Sequence, residues 1–311
     1  MWSKLLLSVA KNFSGRAVIM LKNFNQRFAV TLSYQILGND QKYFKGNLPI
    51  FLLHDILGSK KEWSMTGEVL HNLTKRPVVT VDMRNHGNSP HASTHQYEEM
   101  AKDMLALFDK MGIERASLVG LGMGGRASMT LALMTPQRVA SMLVIEISPV
   151  SSPHHLLNVV PEILLTLQKI DFKGDKNVRD SRKKVKQKLT DLVTDDASMN
   201  VVLENIRVMK DKGNIGWACN LEVIINSFDH IKAFPPSQLG KVYTGPVLFI
   251  GGQHSEYIPA DDLPLILELF PRAVIMYIPE SGHNVQHDHP KRFLELATKF
   301  LKQEQDLRNG F

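Results

Sequence analysis

The stretch Ser117-Leu118-Val119-Gly120-Leu121-Gly122-Met123-Gly124-Gly125-Arg126 decides how the chain is read. Ala116 to Gly120 has the continuous apolar character of a buried strand, and a helical pattern runs from Met123 to about Met134. A strand that runs into Gly-x-Ser-x-Gly and turns sharply into a helix holds its serine in a strained conformation, with the hydroxyl at the helix N-terminus. Here the small flanking residues are present as Gly120, Gly124 and Gly125, but the central position is Gly122. Glycine has no side chain, so no acyl-enzyme can form there. Ser117 lies in the strand and Ser128 in the helix, where neither reaches the tip of the turn. A nucleotide-binding glycine turn is the competing reading. It is disfavoured because the turn lies deep in the chain, at what reads as the third sheet strand, and no acid follows at dinucleotide spacing.

On either side, short apolar runs alternate with amphipathic stretches from about residue 31. Pro49 to His54 and the β-branched run Pro77 to Asp82 read as buried strands, and Ser141 to Ile147, Pro246 to Ile250 and Ala273 to Ile278 continue the series. Between Gln96 and Gly112, Met100, Met104, Leu107, Phe108 and Met111 share one helical face. This alternation implies an α/β protein, with a mostly parallel central sheet covered by helices on both faces and ligands at the carboxyl ends of the strands. Residues 151–240 break the rhythm. They are polar, helical in pattern and inserted between two strands, and so read as a helical cap or lid. The expected organisation is a basic tail over 1–30, a core over 31–150 and 241–305, and the cap between. The cap's basic run, Arg179 to Lys188, reads as a solvated helix face, with contact to a protein partner or acidic lipid as the lesser alternative.

The chain has 311 residues and a formal charge of +6. Lys4, Lys11, Arg16, Lys22 and Arg27 precede the first acid, Asp40, and without them the charge falls from +6 to +1. The globular part is therefore nearly neutral, which argues against nucleic acid as a partner. An acid-free, amphipathic basic N-terminus with several serines reads as a mitochondrial presequence, and the apolar run Leu5 to Ala10 is too short for a secretory core. No stretch approaches the ~18 apolar residues of a transmembrane helix. The lone Cys219 excludes an intramolecular disulfide and fits a reducing compartment such as the matrix.

Several strings resemble the α/β-hydrolase superfamily, in particular a mitochondrial branch and its bacterial esterase relatives. They are His54 with Gly58-Ser59-Lys60, Val81-Asp82-Met83-Arg84-Asn85-His86-Gly87-Asn88-Ser89-Pro90, Met123-Gly124-Gly125, Ile147-Ser148-Pro149-Val150, Trp217 with Asn220-Leu221, Ala233-Phe234-Pro235, Gly251-Gly252 and Ser281-Gly282-His283. The resemblance spans about residues 31 to 303 and implies an α/β-hydrolase fold acting on carboxylic esters or acylglycerols. Four departures stand out: Leu121 for the usual histidine, Gly122 for the nucleophile, Asp55 for a glycine after His54, and Glu146 for an aspartate after the Ser141 to Ile147 strand.

The resemblance makes His283 the base. Its orienting acid is left open between Glu146, Glu256 in the loop after Gly251-Gly252, and Glu222 in the cap. Asp55, Ile56, Met123 and His54 are expected around the oxyanion loop and pocket. There the Asp55 charge would oppose a developing oxyanion by about 3 kcal/mol at ~5 Å and an effective dielectric of ~20. His287-Asp288-His289 offers two histidines at a helix start with no third ligand at suitable spacing, so neither metal nor cofactor is expected. Cys219 reads as packing. Three functions follow: an altered or non-catalytic hydrolase relative with a lidded pocket for an apolar, ester- or lipid-like ligand; an enzyme in which His283 and an acid activate water; and a partner-binding protein using the cap.

Overall fold

A computed structural model describes residues 29–38, 48–209 and 213–309. The presequence expectation falls outside them. The strands are β1 (Ser33–Leu37), β2 (Ile50–Leu53), β3 (Val78–Asp82), β4 (Ala116–Leu121), β5 (Val139–Ile145), β6 (Ile206–Val208), β7 (Ile215–Trp217), β8 (Val247–Gly252) and β9 (Ala273–Ile278). Seven form one sheet in the order β1-β3-β2-β4-β5-β8-β9. β1 pairs antiparallel with β3, and the other pairings are parallel.

Helices cover both faces because the inner strands are apolar on both sides. Phe51, Leu53, Val79 and Val81 pack in one core with α2 (Tyr97–Lys110) and α3 (Met123–Met134). Ile50, Leu52, Val78 and Val119 point the other way, toward α1 (Ser64–Thr74) and the C-terminal helix Pro290–Asn309. The period-2 alternation of a strand thus serves two cores at once.

Three features differ from the sequence reading. β1 was not anticipated: as an edge strand it alternates only weakly between half-buried and exposed, so its apolar signal is slight. β4 is therefore the fourth strand of the sheet in chain order, not the third. Among the described residues, the inserted segment 151–240 adds no strand to the main sheet, but it is not wholly helical, since β6 and β7 form a separate antiparallel hairpin within it. The basic run lies on the helix Val178–Leu189 with Ser181, Val185 and Leu189 buried, and Lys184 pairs with Asp175.

Arg126, buried in the first turns of α3, ties this segment down at both ends. Its guanidinium donates to the carbonyls of Ser148 and Ser151 and to Ser152 Oγ where the chain leaves the core, and to the Ile231 carbonyl where it returns. The Ser152 hydroxyl also donates to the Lys232 carbonyl.

Candidate active site

The carboxyl ends of β2, β4, β5 and β9 deliver Asp55, Gly122, Glu146 and His283 to one place, as a parallel sheet dictates. Gly122 keeps the sharp turn at φ 49° and ψ −112°, with its N–H donated to Ile145 O and its carbonyl accepting from Arg126 N–H. The turn is thus imposed by sheet and helix. Glycine adopts it at little cost.

Asp55 fills the space a side chain at 122 would need. A Cβ built on Gly122 would fall inside 3.0 Å of the Asp55 carboxyl carbon. Asp55 Oδ1 accepts from Met123 N–H at 2.6 Å and from its neighbour Ile56 N–H at 2.7 Å. Met123 is the first residue of α3, so the positive end of the helix adds to the hold on the anion. The sequence reading set Asp55 beside the oxyanion loop as a distant repulsive charge. Instead, its carboxylate occupies the amide pair itself.

Asp55 Oδ2 faces His283 Nε2 at 3.8 Å, and on the other edge of the ring His283 Nδ1 lies 3.0 Å from Glu146 Oε2. A carboxylate only accepts, so Nδ1 carries a proton. Glu146 is fully buried at φ 54° and also accepts from Gly252 N–H and Ser255 Oγ–H. Of the three acids considered, it is the one that reaches His283. Glu256 instead accepts weakly from His155 N–H at 3.4 Å, and Glu222 is exposed on the helix Leu221–Asn226.

Burial draws the His283 pKa down, but the carboxylates of Asp55 and Glu146 outweigh it and push it up to about 9. Burial likewise raises Asp55, yet the His283 partner and the Met123 and Ile56 amides hold it below the ordinary carboxylate range. At neutral pH the resting site is therefore an Asp55 carboxylate facing a His283 imidazolium.

His54 was expected at the pocket but lies fully buried beneath it. Its Nδ1 donates to the Asp55 carbonyl at 2.7 Å, and its Nε2 accepts from Met83 N–H at 3.0 Å. His86 acts in the same way, accepting from Leu57 N–H at 3.2 Å. The Arg-Asn-His-Gly string thus shapes the Asp55 loop, with Arg84 locked to Asp103 and Ser89 Oγ donating to Asp82 O.

Above these groups lies a cavity of about 120 Å³, walled by apolar side chains such as Leu121, Met123, Ile147, Leu156, Val160 and Val202. Tyr257, His155 and Asp288 were not foreseen as contributors. Tyr257 stacks on His283 at 3.9 Å between ring centroids and approaches His155 Nδ1 with its hydroxyl at 2.9 Å. Asp288 braces the His283 loop by accepting from Gly282 N–H and Ser281 Oγ–H. Only the position of Tyr257, in the loop following Gly251-Gly252, hinted at its part. Cys219 is buried, and burial pushes its thiol up to about 12, so it is not a nucleophile.

Comparison with known proteins agrees with this geometry. The model of the α/β hydrolase fold family matches residues 49–290. An sn-1-specific diacylglycerol lipase ABHD11 of Danio rerio is 33% identical over 88% of this chain and 83% of its own, and that of Mus musculus is 32% identical over 87% and 85%. Ethanol acetyltransferase 1 of Eremothecium cymbalariae is 30% identical over 82% of this chain and 74% of its own. Among solved structures, a marine microorganism esterase superposes with a TM-score of 0.77 at 27% identity, covering 88% of this chain and 100% of that one. With the sheet order, the elbow turn and the Glu146–His283 pair in place, the chain belongs to the α/β hydrolase fold family.

Proposed function

We propose that this protein is an altered member of an ester- and lipid-hydrolase family. It holds a small apolar, ester- or lipid-like ligand under the cap formed by residues 151–240, and it does not carry out serine acyl transfer. One observation carries the reading: Gly122 offers no attacking oxygen, and the amide pair that would bind a substrate oxyanion already binds the Asp55 carboxylate. The relatives' names, diacylglycerol lipase and ethanol acetyltransferase, support an acyl-bearing or alkyl ligand class. An enzyme in which His283 simply activates water is disfavoured, because a histidine charged in the resting state is a poor base. The acid-free N-terminus directs the protein to mitochondria. Fluorophosphonate probes should leave the purified protein unlabelled while a serine-bearing relative reacts, and phenylethanol should raise its melting temperature. Labelling that maps to the elbow peptide, or the absence of any apolar ligand effect, refutes the reading.

A further inference from the structure

The geometry points to Asp55 as a nucleophile toward a small apolar epoxide, with the resulting alkyl ester hydrolysed by water activated at the His283–Glu146 pair. The inference rests on the apolar-pocket reading above and adds a reaction to it. Oδ1 of Asp55 is fixed by two amides, Oδ2 faces His283 Nε2 at 3.8 Å, and Asp55 lines the cavity. A carboxylate in this position selects its electrophile by simple chemistry. Attack on an ester carbonyl would have to expel an alkoxide, a far stronger base than the carboxylate, to give an anhydride, so the addition reverses. Attack on a saturated carbon forms an ester, which persists until water cleaves it. In an epoxide the departing oxygen is released by ring strain and needs only a proton.

The steps balance within the site. An Oδ2 lone pair forms a bond to the ring carbon, the ring C–O bond breaks, and its oxygen takes the proton of the His283 imidazolium. Asp55 is now a neutral ester. The charge that held the proton on His283 is gone, and the neutral imidazole can act as a base oriented by Glu146. Water adds to Cγ of Asp55 and gives a proton to Nε2, and negative charge develops on Oδ1, which already lies between Met123 and Ile56 N–H. Donors preset where charge develops are the main source of stabilisation for such an intermediate. Collapse breaks the ester bond to the alkyl oxygen, which takes the proton from His283. The new Asp55 carboxyl then returns its own proton to Nε2. The net reaction converts epoxide and water to a vicinal diol.

Gly122 and Asp55 are in this view one change. A Cβ at 122 would fall inside 3.0 Å of the Asp55 carboxyl carbon, so the glycine gives the carboxylate its place. The cavity of about 120 Å³ is in the size class of the ~150 Å³ apolar cavity that takes benzene, and it is open on one side, so the substrate is no larger than a single substituted ring.

The test is a single turnover of styrene oxide by excess wild-type protein in heavy-oxygen water. Heavy oxygen should enter the Asp55 carboxyl, located by peptide mass spectrometry, and the first diol should carry none. Asp55→Asn should lower diol formation at least ~10³-fold while still binding phenylethanol. Glu146→Gln, which takes the orienting carboxylate from the His283 base, should slow release of the ester by ~10²–10⁴-fold, so that the adduct accumulates on Asp55. Heavy oxygen in the diol alone, or phenylethanol binding with neither adduct nor diol, overturns the inference and leaves the apolar-pocket reading standing. Failure of phenylethanol to bind removes both.

Discussion

Restoring a serine at the elbow separates the steric from the chemical part of the site. In Gly122→Ser the side chain meets two obstacles. Its backbone must hold a positive φ of 49°, which costs a non-glycine residue about 1–3 kcal/mol. Its Cβ must also displace an Asp55 carboxyl anchored by two amides, and overpacking of this kind costs about 1–3 kcal/mol more. A loss of about 2–6 kcal/mol lowers Tm by roughly 4–20 °C in a domain of this size. Asp55→Gly removes the second obstacle and empties the amide pair. It also withdraws one of the two carboxylates that keep His283 charged. The double variant should therefore regain about 1–3 kcal/mol relative to the sum of the single changes. Its kcat/KM on a short-chain aryl ester should exceed that of Gly122→Ser by at least ten- to a hundredfold, because only the transition state places charge between the amides. Urea melts of the four proteins give the coupling, and ester kinetics give the rate. Additive stabilities, or a Gly122→Ser protein as active as the double variant, would show that Asp55 does not occupy the elbow.

The His283 ring should titrate near pH 9 by NMR and move toward 6.5 in Asp55→Asn; a midpoint unchanged by that substitution removes the Asp55–His283 pairing. His86 is held neutral by burial, with a folded pKa of about 3, and burial lowers His54 and His95 as well. Protons bind the unfolded chain first, so their stability contribution is intact above about 6.5 and is lost as pH falls toward the folded values, by up to about 1.4 kcal/mol per pH unit for each histidine. Denaturant melts between pH 7 and 4 measure it, and a flat profile would contradict it. Arg126→Met should destabilise the protein by about 2–6 kcal/mol by leaving the Ser148 and Ser151 carbonyls without their buried donor, while the Ile231 carbonyl keeps Tyr97 Oη–H, as thermal melts would report. A reporter carrying residues 1 to 40 should enter mitochondria, and cytosolic or secreted reporter would refute the presequence.

The parts of the molecule written in local pattern were readable before any coordinates. Met123–Met134 and Ala273–Ile278 carry unbroken apolar or helical signals, and the structure has them at those limits. β6 and β7 were missed because strands of three residues are too short to establish a period. The acid beside His283 was undecided because Glu146 and Glu256 both follow sheet strands, and only the left-handed backbone at Glu146 aims one of them at the ring. Asp55 was noticed as a residue out of place. Where its carboxylate went depended on the long-range bonds Met83 N–H to His54 and Leu57 N–H to His86 that shape its loop, which no sequence spacing encodes.

The Arg126 guanidinium has a mechanical consequence. It grips the chain both where segment 151–240 departs from the core and where it comes back, and the Ser152–Lys232 bond laces those two strands of chain together. A flap needs one free root to swing, and here both roots are fastened to the helix that begins at the elbow. Any widening of the cavity would then have to come from the far side of the segment, where Val193, Ala197 and Val202 line the wall, with the base held like the spine of a book.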